Sequence, residues 1–266
     1  MRQEEWAFAL VVFSMANLWS LIQSKQYQTA IEETSRLFQE TQDGGFLYGR
    51  AIAYLLNKDY TAALQDCQLL IELEKTENEP DNSYLYAGVC YWYLNQPAKT
   101  VAIWKEALDL LETREARDVQ PSTLLLYAAE RLNIDLLREE TLNVLRMHWH
   151  EYQERLKQLS SKKLIDSDII HENIFPWPFP IVPLLLDEIN SITLQKSMDT
   201  LAIFDSFKGR HQCQADFYLA LGAFRKKENI GFRVYMTRCA ENFHGWFEIE
   251  YLLASWEIEN NFREIV

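Results

Sequence analysis

Residues 84–108 read YLYAGVCYWYLNQPAKTVAIWKEAL, and the spacing of their small and aromatic residues decides the fold. Tyr84, Ala87, Gly88 and Tyr91 share one face of a helix, and Thr100, Trp104 and Ala107 share a face of another after a break at Asn95-Gln96-Pro97. Small residues at Gly88 and Ala107 let the two helices cross at short distance, while Tyr91 and Trp104 fill the space beside the crossing. The stretch predicts a packed helix pair.

The same spacing returns upstream. Leu47, Ala51 and Tyr54, then Ala63 and Cys67, give a second copy joined by the polar turn Asn57-Lys58-Asp59-Tyr60. A weaker copy holds Tyr27, Ala30 and Phe38. Ala30 to Ala63 spans 33 residues and Ala63 to Thr100 spans 37, the excess falling in the polar stretch Thr76–Asn82, TENEPDN. This alternation resembles the tetratricopeptide repeat (TPR), whose period is about 34. The resemblance implies an all-α, right-handed helical solenoid of stacked antiparallel helix pairs.

Past a break at Gln120-Pro121-Ser122, apolar spacing predicts helices over Leu124–Leu132 and Leu136–Leu159. Ser160–Lys163 punctuates the chain, and the prolines of Asn173–Pro183, NIFPWPFPIVP, forbid a continuous helix. Helical spacing resumes over Leu184–Phe207, Gln214–Ala223, Phe232–Asn242 and Trp246–Glu259. The expected organisation is helix pairs over 1–160 (near 12–40, 44–75, 81–112 and 122–159), a linker over 161–183, and degenerate repeats over 184–266 on the same solenoid. Trp177, Pro178, Pro180, Leu184, Leu185, Phe217, Tyr218, Leu219, Phe247, Glu248, Glu250, Tyr251 and Ala254 are similar to the carboxy-terminal part of bacterial TPR adaptors of the outer-membrane lipoprotein type. Ala220 and Phe232 depart from that pattern, and the lipid-bearing Cys is missing.

Composition agrees with helices. Eight Gly and seven Pro in 266 residues are too few turn residues for a sandwich or barrel, and 48% hydrophobic residues can bury a substantial core. Cys67, Cys90, Cys213 and Cys239 form no C-x-x-C pair and sit in apolar segments, so they read as buried, reduced thiols. The uncharged run Trp6–Ile22 is 17 residues long and follows Glu4 and Glu5 rather than a basic segment; it reads as a buried first helix, with membrane association as the alternative. A cytoplasmic, bacterial protein is expected.

Enzymatic patterns are absent. His148 and His150, two residues apart, point away from each other on a helix and cannot share a metal. No H-E-x-x-H, P-loop, G-x-G-x-x-G or G-x-S-x-G stretch occurs, so no catalytic residue, metal or cofactor is expected. With 39 acidic against 26 basic residues the net charge is −13, which repels phosphate backbones and steers basic proteins inward. Nucleic acid and small-molecule substrates are therefore not expected as ligands.

The TPR resemblance implies that partners bind a concave groove lined by first-helix residues lying between the packing positions. Here these are Trp19 (flanked by Met15 and Ile22), Tyr48, Ile52, Leu55 (with Leu56), Leu85, Val89, Trp92 and Tyr93. They are apolar and aromatic, which disfavours carboxylate clamping and suits an amphipathic peptide. The expected function is a non-enzymatic adaptor or scaffold for a protein partner. The alternative is a bacterial immunity protein that neutralises a basic toxin domain. A homodimer would also cover the groove.

Overall fold

The computed structural model describes residues 17–77, 82–112, 119–161, 177–201 and 205–262. Most of the Trp6–Ile22 run, with Met15, lies outside them, as does the 173–176 part of the proline segment. Every regular element among the described residues is a helix, so the fold is all-α. None of these helices is long and apolar enough to cross a membrane.

In chain order the elements are α1 (17–23), α2 (Tyr27–Thr41), α3 (Gly44–Leu56), α4 (Tyr60–Glu77), α5 (Ser83–Tyr93), α6 (Pro97–Glu112), α7 (Gln120–Arg131) and α8 (Asp135–Ser161). Then come α9 (Ile181–Leu185), α10 (Ser191–Leu201), α11 (Asp205–Arg225), α12 (Asn229–Glu241), a 3-10 turn at Phe243–Gly245, and α13 (Ile249–Glu259).

One turn, used five times, makes the helix pairs. Lys25, Lys58, Asn95, Asn133 and Lys227 each adopt a left-handed backbone conformation with φ of 58, 66, 56, 53 and 61°. Each donates its N–H three residues back, to the carbonyl of Ile22, Leu55, Trp92, Glu130 or Phe224. The next residue donates five back, to Leu21, Tyr54, Tyr91, Ala129 or Ala223. This double closure satisfies the orphan carbonyls of the first helix and reverses the chain in three residues. The pairs are α1/α2, α3/α4, α5/α6, α7/α8 and α11/α12, TPR-like in their antiparallel hairpin form. Asp59 then caps α4, its Oδ1 accepting from the Ala62 N–H at 3.1 Å.

The chain divides into two compact units, Met1–Ile103 and Trp104–Val266. The boundary falls inside α6, not in the linker expected at 161–183. Residues 162–176 of that linker lie outside the described residues; at its described end Ile181 and Val182 are fully buried, and Phe179 packs on Tyr152 with ring centroids 5.2 Å apart. Apolar content outweighs the helix-breaking prolines, so the segment folds into the short α9 on α8 and α11. The helix expected over Leu184–Phe207 is likewise interrupted, because Asp187 at φ 60° closes α9 and Asn190 Oδ1 accepts from the Thr193 N–H to start α10.

In the first unit the repeat positions pack as their sizes predict. Tyr84, Ala87, Thr100, Ala63 and Cys67 are buried. Thr100 Oγ1 donates to the Gly88 carbonyl at 3.0 Å. A bidentate pair ties α3 to α4: Arg50 Nε and Nη2 reach the Asp66 carboxylate at 2.7 and 2.6 Å, and Nη1 donates to Ser35 Oγ on α2. Gly49 sits where α1, α2 and α3 meet. A Cβ there would run into the buried Leu18 side chain, with Thr34 Cγ2 at 3.8 Å. Gly49→Val should therefore destabilise the first unit by about 1–3 kcal/mol despite better helix propensity. A denaturant midpoint equal to or above the wild-type value would show that Leu18 yields without cost.

Candidate functional site

The expected groove is mostly interior. Ile52, Leu55, Leu85, Val89 and Trp92 are between 0 and 3% exposed, so they cannot form a free groove wall. The correction has a simple cause: β-branched, Leu and Trp residues at these steps complete the core between neighbouring helices rather than a ligand surface. The aromatics Trp19, Tyr48 and Tyr93, with Leu56, are half-exposed. Tyr48 meets Tyr86 edge-on at 5.5 Å, and Tyr93 stacks on Tyr60 at 4.3 Å.

The strongest perturbed chemistry lies in the second unit, where α13 is fastened to α7 and α11 by a buried polar seam. Tyr218 donates to Glu250 Oε1 at 2.9 Å and shares a hydrogen bond with Thr123 Oγ1 at 2.7 Å. Gln120 Nε2 donates to Glu250 Oε1 at 3.1 Å, and Gln214 Nε2 to Glu248 Oε2 at 3.1 Å. Trp177 Nε1 orients the Gln214 amide by donating to its oxygen. Two turns on, Arg131 grips Glu257 with Nε and Nη2, and Tyr127 donates to the same carboxylate at 2.7 Å.

Burial raises the pKa of Glu250 and of Glu257, hydrogen-bond donors opposing it in both. Burial, reinforced by the Glu250 charge, pushes Glu248 up to about 7, with Arg210 at 2.5 Å pulling the other way. Shifted carboxylates beside a tyrosine are the marks of an acid–base site. Here they are sealed: Tyr218, Glu250 and Glu257 are fully buried, and their lone pairs are occupied by the chain's own donors. Among the described residues the seam fastens helices together, and its central groups are shielded from solvent. No three His, Cys, Asp or Glu side chains among the described residues gather as a metal site, and His148 and His150 do not approach one.

The four cysteines are free and buried. They meet in pairs that the sequence spacing did not suggest. Cys213 and Cys239 place their sulfurs 3.1 Å apart, and Cys67 hydrogen-bonds Cys90. The Cys90 hydrogen bond and burial raise the Cys67 thiol, and burial raises Cys213 and Cys239, leaving them inert as nucleophiles.

Sequence reading missed the seam because its partners lie far apart. Gln120 and Glu250 are 130 residues apart, and isolated acids in amphipathic helices read as solvated.

No protein-family model matches this chain, and no curated protein does. Among solved structures, the TPR2AB-domain:pHSP90-complex of yeast Sti1 resembles it over 97% of this chain and 98% of that chain, at 14% identity and a TM-score of 0.37. The sites here are accordingly read from this chain's own residues.

Two outcomes follow from the burial. Trp92→Ala should cost about 3–5 kcal/mol in the first unit and Tyr93→Ala about 1 kcal/mol, measured by urea unfolding; equal, small losses would return Trp92 to the surface. Glu248 sets a pH dependence. Its folded pKa of about 7 lies above the ordinary 4.5, so the folded state holds the extra proton and stability falls as pH rises between those values. Burial lowers His211 from 6.5 to about 4, which opposes this trend below pH 6.5. The clean window runs upward from about 6.5. The melting temperature should drop from there to pH 8, and Glu248→Gln should flatten the slope; a flat wild-type profile refutes the assignment.

Proposed function

We propose that this chain is a non-catalytic scaffold that binds a protein partner. The observation that carries the reading is the division of labour among its side chains. The perturbed carboxylates and thiols are consumed inside the helix stack, whereas large aliphatic side chains are left outside on the second unit. Ile230 is 82% and Val234 50% exposed, one turn apart on α12, and Ile192 on α10 is 67% exposed. Helix-pair repeats build surfaces of this kind because each repeat buries its neighbour's face and leaves its outer residues free to vary. An exposed aliphatic pair one helical turn apart offers footing for the apolar face of a partner segment.

The adaptor reading is favoured over an immunity role because its supporting features are surface positions that could serve any partner. The sequence-derived groove contributes at most Trp19, Tyr48 and Tyr93 as an accessory aromatic surface on the first unit. A homodimer through α12 would satisfy the same stripe and is an alternative occupant.

The test is affinity capture with the full 266-residue chain, then reconstitution of the captured complex from purified components. The expected result is a stoichiometric complex that survives gel filtration and is weakened by Ile230→Asp with Val234→Asp, while the melting temperature is unchanged. A self-associating chain with no partner, or a complex indifferent to both substitutions, refutes the reading. Protection of cells from a co-expressed toxin domain would replace it with the immunity role.

A further inference from the structure

Three helix ends converge on one cavity in the second unit. The cavity has a volume of about 850 Å³ and lies against the ends of α7 (Leu132, Asn133), α9 (Asp187) and α11 (Lys226, Lys227). Each end is closed by a left-handed residue, Asn133, Asp187 or Lys227. Its wall is basic in a chain that is acidic overall: Arg131, Arg138, Arg225, Lys226 and Lys227 stand against Glu130 and Asp187.

Part of this charge has a structural explanation. Cations compensate the carbonyl ends of helices, which accounts for Arg225, Lys226 and Lys227 near the end of α11. Arg131 is committed to Glu257. Arg138 is different, because it stands in the first turn of α8, where the helix field disfavours a cation.

The arrangement of the two remaining guanidiniums is specific. Glu130, with its side chain 8% exposed, anchors both: its Oε1 lies 2.9 Å from Arg138 Nε and 3.3 Å from Arg225 Nε. Arg225 Nη1 donates to the Leu185 carbonyl at 2.5 Å, and Arg138 Nη1 pairs with Asp135. The Nη2 group of each arginine has no partner among the described residues, and Lys227 has no carboxylate within ion-pair distance. Two pre-oriented guanidinium edges facing one cavity present the fork geometry that receives a carboxylate. Exposed aliphatics flank them in sequence: Ile134 follows the lining residue Asn133, and Ile230 follows the lining residue Asn229.

We propose that this cavity is the docking site for an acidic segment of a partner protein in which carboxylate and aliphatic side chains alternate. The carboxylate meets Arg138, Arg225 and Lys227, and the aliphatic neighbours rest on Ile134 and Ile230. This rests on the scaffold reading and names the partner's chemistry. It also reverses the expectation from net charge, since the partner segment is acidic where the chain as a whole favours a basic one. A protein segment is favoured over a nucleic acid because the flanking residues are aliphatic and offer no stacking platform for bases.

Gly222 allows a test that leaves the charges alone. It lines the cavity, and a Cβ there meets nothing within 4 Å. Gly222→Trp extends from an unobstructed Cβ in the cavity wall, and leaving Gly behind in a helix should not lower the melting temperature. The probes are fluorescein-labelled peptides alternating Glu with Leu or Lys with Leu, and a single-stranded oligothymidylate, each titrated by anisotropy against the full chain. The Glu–Leu peptide should bind saturably. Its affinity should fall roughly tenfold between about 50 and about 500 mM NaCl, and as much in Lys227→Glu and in Gly222→Trp. The assignment is overturned by absent binding, by equal binding of the Lys–Leu peptide, by tighter binding of the oligonucleotide, or by indifference to Gly222→Trp. A partner captured by the wild-type chain and retained by both variants defeats the cavity assignment alone; capture of no partner by the wild type defeats the scaffold reading as well.

Discussion

Helix α7 is buried on every side from Pro121 to Arg131, and the second unit is organised around that constraint. Its polar side chains have no water to turn to, and apart from Ser122, whose Oγ has no hydrogen-bond partner among the described residues, they find partners on neighbouring helices. Thr123 finds Tyr218, Tyr127 and Arg131 find Glu257, and Glu130 finds Arg138 and Arg225. Because these partners come from α8, α11 and α13, satisfying one helix fixes the register of three others. A buried ion pair such as Arg131–Glu257 is weak evidence of net stability, since dehydrating two charges offsets most of their attraction. Its larger effect is to exclude arrangements that would strand a charge. Arg131 also lies over the rings of Phe224 and Phe232, so its position is set from both sides.

The helix pairs were legible in the sequence for a local reason. Ala63, Ala87 and Gly88 are small and Tyr84 is large at the steps where the first unit packs its helices, so the pattern is written within a few turns of chain. The turns at Asn57–Asp59 and Asn95–Gln96 were legible too, because polar residues gather where the backbone turns left-handed. The candidate site was not legible to the same degree. A Trp at position 92 carries the same one-dimensional signal whether it lines a groove or fills a core, and burial decided for the core. In the proline segment helix breakers read as a linker, while at its described end Phe179, Ile181 and Val182 bury apolar surface within the second unit. The polar seam and the basic cavity join residues from distant stretches, and no periodicity within one helix encodes such a meeting.

Net charge proved a poor guide to local character. A balance of −13 describes the far field of the chain and the encounters it steers. Within a few ångströms, position on the helix matters more. Cations collect at the ends of α7 and α11, where carbonyl groups point outward, and acids are drawn into α13, where tyrosine, glutamine and arginine donors await them. A surface can thus be acidic on average and basic in the hollow where a ligand would sit.

The recurrent turn carries a consequence for how such a chain diversifies. In the five copies that join helix pairs the left-handed position is held by Lys or Asn, and in the matching closures after α9 and α13 by Asp187 and Asn261, never by Gly, at a modest conformational cost. These side chains are exposed, outside the packed faces, and the hydrogen bonds that shape the turn come from the backbone alone. Charge at these five places can therefore change while the helices keep their register, so each turn is a rewritable position on a fixed frame. New specificities would arise there by single substitutions, with no need to rebuild the core.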